Sequence, residues 1–242
     1  MNRIVRSCVV IAALATLGAA GCATTANHPK DPFEGFNRVM FSVNEGLDVV
    51  AKPVAEGYDA IVPGPVRTGI GNFFGNIADL WIALNNLLQG KITDGTSDVA
   101  RVLVNSTLGI AGLFDVASDL GLEKHAEDFG QTLGKWGVAE GPYLYWPIIG
   151  PRNVRDTFGF AVDTSVDPVT HLRPVDTRNT LIGVRFIDLR ASLLPTDKVI
   201  EAAAFDKYSY IRNAYFQMRR NAVYDGNPPP LDDEDDGEDD EE

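Results

Sequence analysis

The sequence predicts an all-α fold. Apolar residues recur at three- and four-residue spacing, no alternating apolar/polar run is long enough to define a sheet, and proline and glycine cluster between the periodic stretches. The 242 residues are 45% hydrophobic and 23% charged, as expected for a globular chain with one sizeable core. That composition disfavours collagen-like, fully disordered and polytopic membrane classes.

Residues 1–21 read as a secretory signal, with Arg3 and Arg6 ahead of an apolar run that contains Cys8. Leu17-Gly18-Ala19-Ala20-Gly21-Cys22 resembles a bacterial lipobox, although Ala19 stands where leucine is common. Cys22 is therefore the expected site of a covalent diacylglycerol and an N-acyl chain, and no other cofactor is expected. One acyl chain holds a protein only marginally, at about 0.8 kcal/mol per buried methylene, whereas two or three hold it stably. Ala23, rather than aspartate, favours the outer membrane by analogy with enterobacterial sorting. No later stretch approaches the ~20 apolar residues of a spanning helix.

Residues 22–30 form a polar tether, residues 31–225 the body, and residues 226–242 an acidic tail expected to be disordered. The tail holds ten acids in residues 231–242, which leaves the body near neutral with 24 acidic and 19 basic side chains over residues 22–230. A nucleic-acid partner is excluded for want of a basic footprint.

Asp31-Pro32-Phe33-Glu34 predicts a capped helix start. Phe33, Phe36, Met40, Val43, Leu47 and Val50 share one face of a helix reaching about Ala51, and Pro53, Pro63 and Pro65 punctuate its exit. Later stripes comprise Ile182, Phe186, Leu189 and Leu193, broken by Pro195, and then Ile200, Ala204, Tyr208, Ile211 and Tyr215. Between about 130 and 151, glycine and proline predict an irregular segment or a bent hairpin.

Two central helices have inverted amphipathicity. Asn76, Asp79 and Asn86 form a thin polar stripe on a helix otherwise covered by Ile77, Leu80, Trp81, Ile82, Leu84, Leu87 and Leu88, with Asn85 off register. The next helix sets Asp98, Arg101 and Asn105 against Val99, Val102, Leu103, Val104 and Leu108. A surface helix of a soluble domain has the opposite proportions. Either both helices are buried and the stripe pairs internally, Asp79 with Arg101, or the apolar majority faces lipid and the stripe lines a wet interior. The lipid anchor favours the second setting, because polar groups at membrane depth face a cavity or one another.

Catalytic machinery is not evident. The sequence has no Gly-x-Ser-x-Gly, His-Glu-x-x-His or Cys-x-x-Cys motif, and its histidines are His28, His125 and His171. Gly69-Ile70-Gly71 through Gly75 has the wrong spacing for a dinucleotide fingerprint. Asp232 to Gly237 begins like a calcium loop, but its required glutamate would fall beyond Glu242. No metal site is expected.

Several blocks in order strongly resemble the MlaA (VacJ) family of outer-membrane lipoproteins. They are Asp31-Pro32-Phe33-Glu34-Gly35-Phe36-Asn37-Arg38, Gly71-Asn72-Phe73-Phe74-Gly75-Asn76, Asn85-Asn86-Leu87-Leu88-Gln89-Gly90 and Arg101 through Gly109. Phe129-Gly130-Gln131-Thr132-Leu133-Gly134, Trp136-Gly137-Val138, Gly141-Pro142-Tyr143 and Arg155-Asp156 continue the order. The resemblance spans roughly residues 31–225. It implies a ring-like helical body in the inner leaflet of the outer membrane, with an amphipathic channel. Such a body associates with a trimeric porin and passes mislocalised phospholipids to a soluble periplasmic carrier without covalent chemistry.

On this reading Asn76, Asp79, Asn86, Asp98, Arg101 and Asn105 are expected to line the polar passage, unless they are interhelical pairs. Gly130, Gly134, Gly137, Gly141 and Gly150 are expected to form a mobile gate, or else a fixed turn. The rival readings are a structural periplasmic lipoprotein without transport activity and a lipid hydrolase.

Overall fold

The computed structural model of the protein describes residues 28–230. The signal segment, Cys22 and the tail from residue 231 onward lie outside the described residues. Within them the regular structure is helical apart from one hairpin.

Helix α1 (Glu34–Ile61) is ten residues longer than its apolar stripe suggests and carries Pro53 inside it. Proline removes one backbone donor, but the buried Ala55 packs just beyond it and holds the helix across the gap. Asp31 does not cap this helix. It is fully buried and accepts from Asn37 Nδ2 at 2.8 Å, Tyr208 Oη at 2.6 Å and Arg212 Nη1 at 3.0 Å. Three donors from two helices outcompete a backbone amide for one carboxylate. The last residues of the expected tether are docked as well, since the Tyr143 amide donates to the Lys30 carbonyl at 2.9 Å and His28 stacks on Phe216.

Helix α2 (Gly64–Leu88) has Pro65 in its first turn, and Gly90 at φ +81° turns the chain into α3 (Ile92–Thr107). A Cβ at Gly95 would stand 2.7 Å from Leu87, so glycine there permits the close approach of α2 and α3. The short α4 (Val116–Asp119) follows Asp115. The Gly-rich segment then opens with a helix absent from the sequence expectation, α5 (Phe129–Lys135), capped by Asp128 on the Gln131 amide at 2.8 Å.

Strands β1 (Tyr143–Trp146) and β2 (Gly150–Asn153) make a hairpin, the second of the two alternatives for this segment, paired antiparallel with Tyr143 opposite Asn153. Asn153 caps α6 (Val154–Val166), and a 3₁₀ turn at Pro168–His171 leads into α7 (Val175–Ser192). Pro195 begins α8 (Leu194–Ala203). The stripe from Ile200 to Tyr215 is not one helix: Asp206 accepts from the Tyr208 amide and starts α9 (Lys207–Val223).

Alternation along β1 turns Tyr143 and Tyr145 inward, where with Tyr208 they form an aromatic core flanked by Met40, Phe41, Ile211, Tyr215 and Phe216. Edge and tilted ring pairs here, such as Phe41–Tyr145 at 5.4 Å, add about 0.5–1.5 kcal/mol each beyond their burial. Elsewhere the usual layering is inverted. Among the described residues, 15 polar or charged residues are buried against 11 apolar ones, while large apolar side chains such as Leu80, Leu103, Ile110, Phe114 and Phe158 stand exposed. A water-soluble domain does the reverse, so this body is built with an apolar skin and a polar interior.

Candidate functional site: a polar seam and an amphipathic passage

The six stripe residues on α2 and α3 are all buried, and they face one another and the segment 115–125. Arg101 is central, 3% exposed. Its Nη2 donates to Asp115 Oδ1 at 3.0 Å and its Nη1 to Ser118 Oγ at 3.0 Å and to the Leu122 carbonyl, while its Nε lies 3.5 Å from Asp79. Lys124 Nζ reaches Asp79 at 2.5 Å. Asn105 donates to Asp115 at 2.9 Å and accepts from the Ala117 amide at 2.8 Å, and Asn76 donates to Ser106 Oγ. Asn86 donates to Asp98 at 3.0 Å and to the His125 carbonyl at 3.0 Å. Burial pushes the Asp98 carboxyl up, against the hydrogen bonds from His125. Burial also pushes Asp115 up, but bonds from Ser118, Asn105 and Arg101 prevail and bring it down to about 2.

The stripe residues bond to one another and to segment 115–125, and Asn86 also borders a cavity of about 560 Å³ shared with Asp94, His125 and Glu127. The space beside Asn76, Asp79, Arg101 and Lys124 is about 120 Å³, room for a few waters. Both branches of the sequence reading meet here. Leu80, Leu84 and Leu88 on α2 and Ile92, Val99 and Leu103 on α3 are exposed while Ile82 is buried, and within the stripe Asn76 Oδ1, Asp79 Oδ1, Asn86 Oδ1 and Arg101 Nε are buried without a hydrogen-bond partner. Asn85, off register in the sequence, belongs to a second seam, its Oδ1 accepting from Thr132 Oγ1 of α5 at 2.7 Å.

Two further cavities lie away from the seam and from the space beside Asn86. Helices α1, α7, α8 and α9 and the hairpin tip surround two cavities of about 360 and 320 Å³, which share Glu45, Asp48, Asp197, Ile200 and Ile211. One end is apolar, walled by Leu47, Ile148, Ile149, Phe186, Leu189 and Leu193. The stripe from Ile182 to Leu193 thus faces an open space and remains 40–58% exposed. The other end is charged, with Glu45, Lys52, Glu56, Glu201 and Lys207. Between them Arg190 donates from Nε and Nη2 to both oxygens of Asp48 at 2.6 and 2.7 Å, and from Nη2 to Asp197 at 2.6 Å. The Arg190 bond holds the Asp48 carboxyl below its usual range although burial opposes this. The hairpin tip is tied to α1 by the Ile148 amide, which donates to Asn44 Oδ1 at 2.8 Å.

The five candidate gate glycines divide between two tasks. Gly130 and Gly134 are packing positions, since a Cβ would lie 2.6 Å from Arg219 Nη2 at the first and 2.8 Å from Arg155 Nη1 at the second. Gly137, Gly141 and Gly150 have φ of +88°, +68° and +88° and shape turns, and Gly150 borders the apolar cavity. Sequence periodicity missed the charged cavity, because Glu45, Asp48, Lys52 and Glu56 look like the ordinary solvated face of α1. Their helical spacing beside the stripe at Leu47 was the available signal. No group of three or more His, Cys, Asp or Glu among the described residues is placed to hold a metal, and no described helix is long and apolar enough to cross a membrane.

This architecture can be set beside known proteins. The family described as MlaA lipoprotein matches residues 29–222. The intermembrane phospholipid transport system lipoprotein MlaA of Escherichia coli K12 is 34% identical over 215 residues, covering 85% of this chain and 84% of that protein. An uncharacterized protein of Rickettsia typhi is 36% identical over 195 residues, covering 80% and 78%. A solved structure, described as the structural basis for maintenance of bacterial outer membrane lipid asymmetry, has a TM-score of 0.69 and 35% identity, covering 81% of this chain and 99% of that one. With the family's match running through nearly the whole described body, this chain belongs to the MlaA lipoprotein family.

Proposed function

We propose that this protein removes mislocalised phospholipids from the outer leaflet of the outer membrane and hands them to a soluble periplasmic carrier, so maintaining lipid asymmetry. The carrying observation is a pair of adjoining cavities, one apolar at Leu47, Phe186, Leu189 and Leu193 and the other charged at Glu45, Lys52 and Lys207, inside a body with large apolar side chains exposed; we read the pair as the lipid passage. The names of the Escherichia coli relative and of the solved structure support the same reading.

The body lies ring-like in the periplasm-facing inner leaflet, held by acyl chains on Cys22 and seated beside a trimeric porin. A phospholipid placed in water would expose two acyl chains, at a cost on the order of 20 kcal/mol from about 0.8 per methylene. Passage from one apolar shelter to another avoids that cost. The chains stay against the Phe186 wall while the headgroup follows the charged one. The seam from Asn76 to Asn105 braces the two helices that present apolar faces to lipid, and direction comes from higher affinity downstream.

The test is transfer of labelled phospholipid from vesicles containing the full chain to a soluble acceptor. Leu189→Asp, which places a charge on the apolar wall without breaking any seam, should cut transfer at least tenfold with melting unchanged. Transfer at the wild-type rate would refute the route. A purely structural lipoprotein would give no transfer from the outset.

A further inference from the structure

The charged end of the passage is acidic, and its cations are unequally committed. Five carboxylates line the two cavities, Glu45, Asp48, Glu56, Asp197 and Glu201, against three cations, Lys52, Arg190 and Lys207, for a net charge of −2. Arg190 commits Nε and Nη2 to Asp48 and Asp197, while its buried Nη1 has no hydrogen-bond partner. The two lysines are held loosely. Lys52 Nζ is 3.2 Å from Glu201, and Lys207 Nζ is 3.9 Å from Glu201 and 3.7 Å from Glu45, the last two beyond hydrogen-bond range. Glu56 stands on the same wall outside these pairs.

We propose that this end of the passage selects zwitterionic phospholipids with an ammonium headgroup over net-anionic ones. The proposal rests on reading the passage as the lipid route. A lipid phosphate can displace Glu201 from Lys52 and Lys207, because the first contact is a single hydrogen bond at 3.2 Å, the second lies beyond hydrogen-bond range, and both lysines remain partly open to solvent. The ammonium of the same headgroup then meets Glu45 and Glu56. A zwitterion brings no net charge into a site of charge −2. Phosphatidylglycerol brings another negative charge and no cation to offer the glutamates, so it is repelled. The adjoining wall of Leu47, Phe186 and Leu189 lowers the local dielectric and sharpens the difference.

The experiment places the full chain in vesicles of equal parts phosphatidylethanolamine and phosphatidylglycerol, re-extracts it in detergent and counts the retained lipids by mass spectrometry. Phosphatidylethanolamine should be retained about fivefold over phosphatidylglycerol. Glu45→Gln with Glu56→Gln brings the wall to neutrality and should return the ratio close to one. Each single variant should move it part of the way, so that Glu56→Gln alone serves should the pair fail to fold. Lys52→Gln with Lys207→Gln should lower retention of both lipids, phosphatidylglycerol the more. Lipid retained at the vesicle ratio by the unaltered protein, or a preference that the glutamine variants leave unmoved, would overturn the selection while leaving the route standing. Absence of any retained lipid would overturn the route and the selection with it.

Discussion

Replacing Arg101 with leucine separates a structural seam from a transport pathway. Arg101 is 3% exposed and joins Asp115, Ser118 and the Leu122 carbonyl while lying 3.5 Å from Asp79. Leucine fills much of the same volume but supplies no donor. It leaves Asp79 with Lys124 as its remaining ion-pair partner and the Leu122 carbonyl without its guanidinium bond. Leaving the Leu122 carbonyl and its neighbours without the guanidinium donors costs about 1–3 kcal/mol, since Asp79 keeps Lys124 and Asp115 is partly open to solvent. For a body of this size each kcal/mol lowers the melting temperature by roughly 2–4 °C, so Arg101→Leu should melt about 2–12 °C lower. The assay is thermal melting of the detergent-solubilised full chain, followed by circular dichroism and paired with the lipid-transfer measurement at a temperature where both proteins are folded. Melting indistinguishable from wild type together with lost transfer would refute the seam and make Arg101 a lining residue after all.

Two further outcomes follow from local geometry. Gly159→Ala brings a Cβ to 2.5 Å from the Gly130 amide nitrogen and should destabilise by about 1–3 kcal/mol, whereas Gly183→Ala, in open space within α7, should stabilise by up to about 1 kcal/mol. Denaturant titration of the two variants checks the contrast. Acid should weaken the seam: with its pKa lowered to about 2, Asp115 contributes stability that is complete above about pH 4, its unfolded value, and is lost as pH falls from there toward 2. The pH dependence of melting in Asp115→Asn should be flatter across that window than in wild type; parallel curves would remove Asp115 from the account.

The helices were legible wherever a single face is apolar over several turns, as from Phe33 to Val50. Their ends were not, because ends are settled by contacts across the fold. Asp31 looks like a cap from its neighbours and becomes a buried anchor only because Tyr208 and Arg212 arrive from α9. Pro53 looks like a terminator, yet the buried Ala55 carries α1 past it to Ile61. Asp206 divides one continuous stripe into two helices, a decision that turns on its own capping bond and its pairing with Arg38 at 2.6 Å.

By itself the sequence determined the all-α class, the family blocks and the thinness of the polar stripe on α2 and α3, since each is a property of neighbours along one helix or strand. Only the tertiary structure decided what that stripe meets. Segment 115–125 folds over it and bonds to Arg101, Asn105 and Asn86, which periodicity along one helix does not reveal. The two adjoining cavities were equally invisible, because their walls come from α1, the hairpin and the helices after residue 175, and amphipathic faces far apart in the chain enclose space only when packing brings them together.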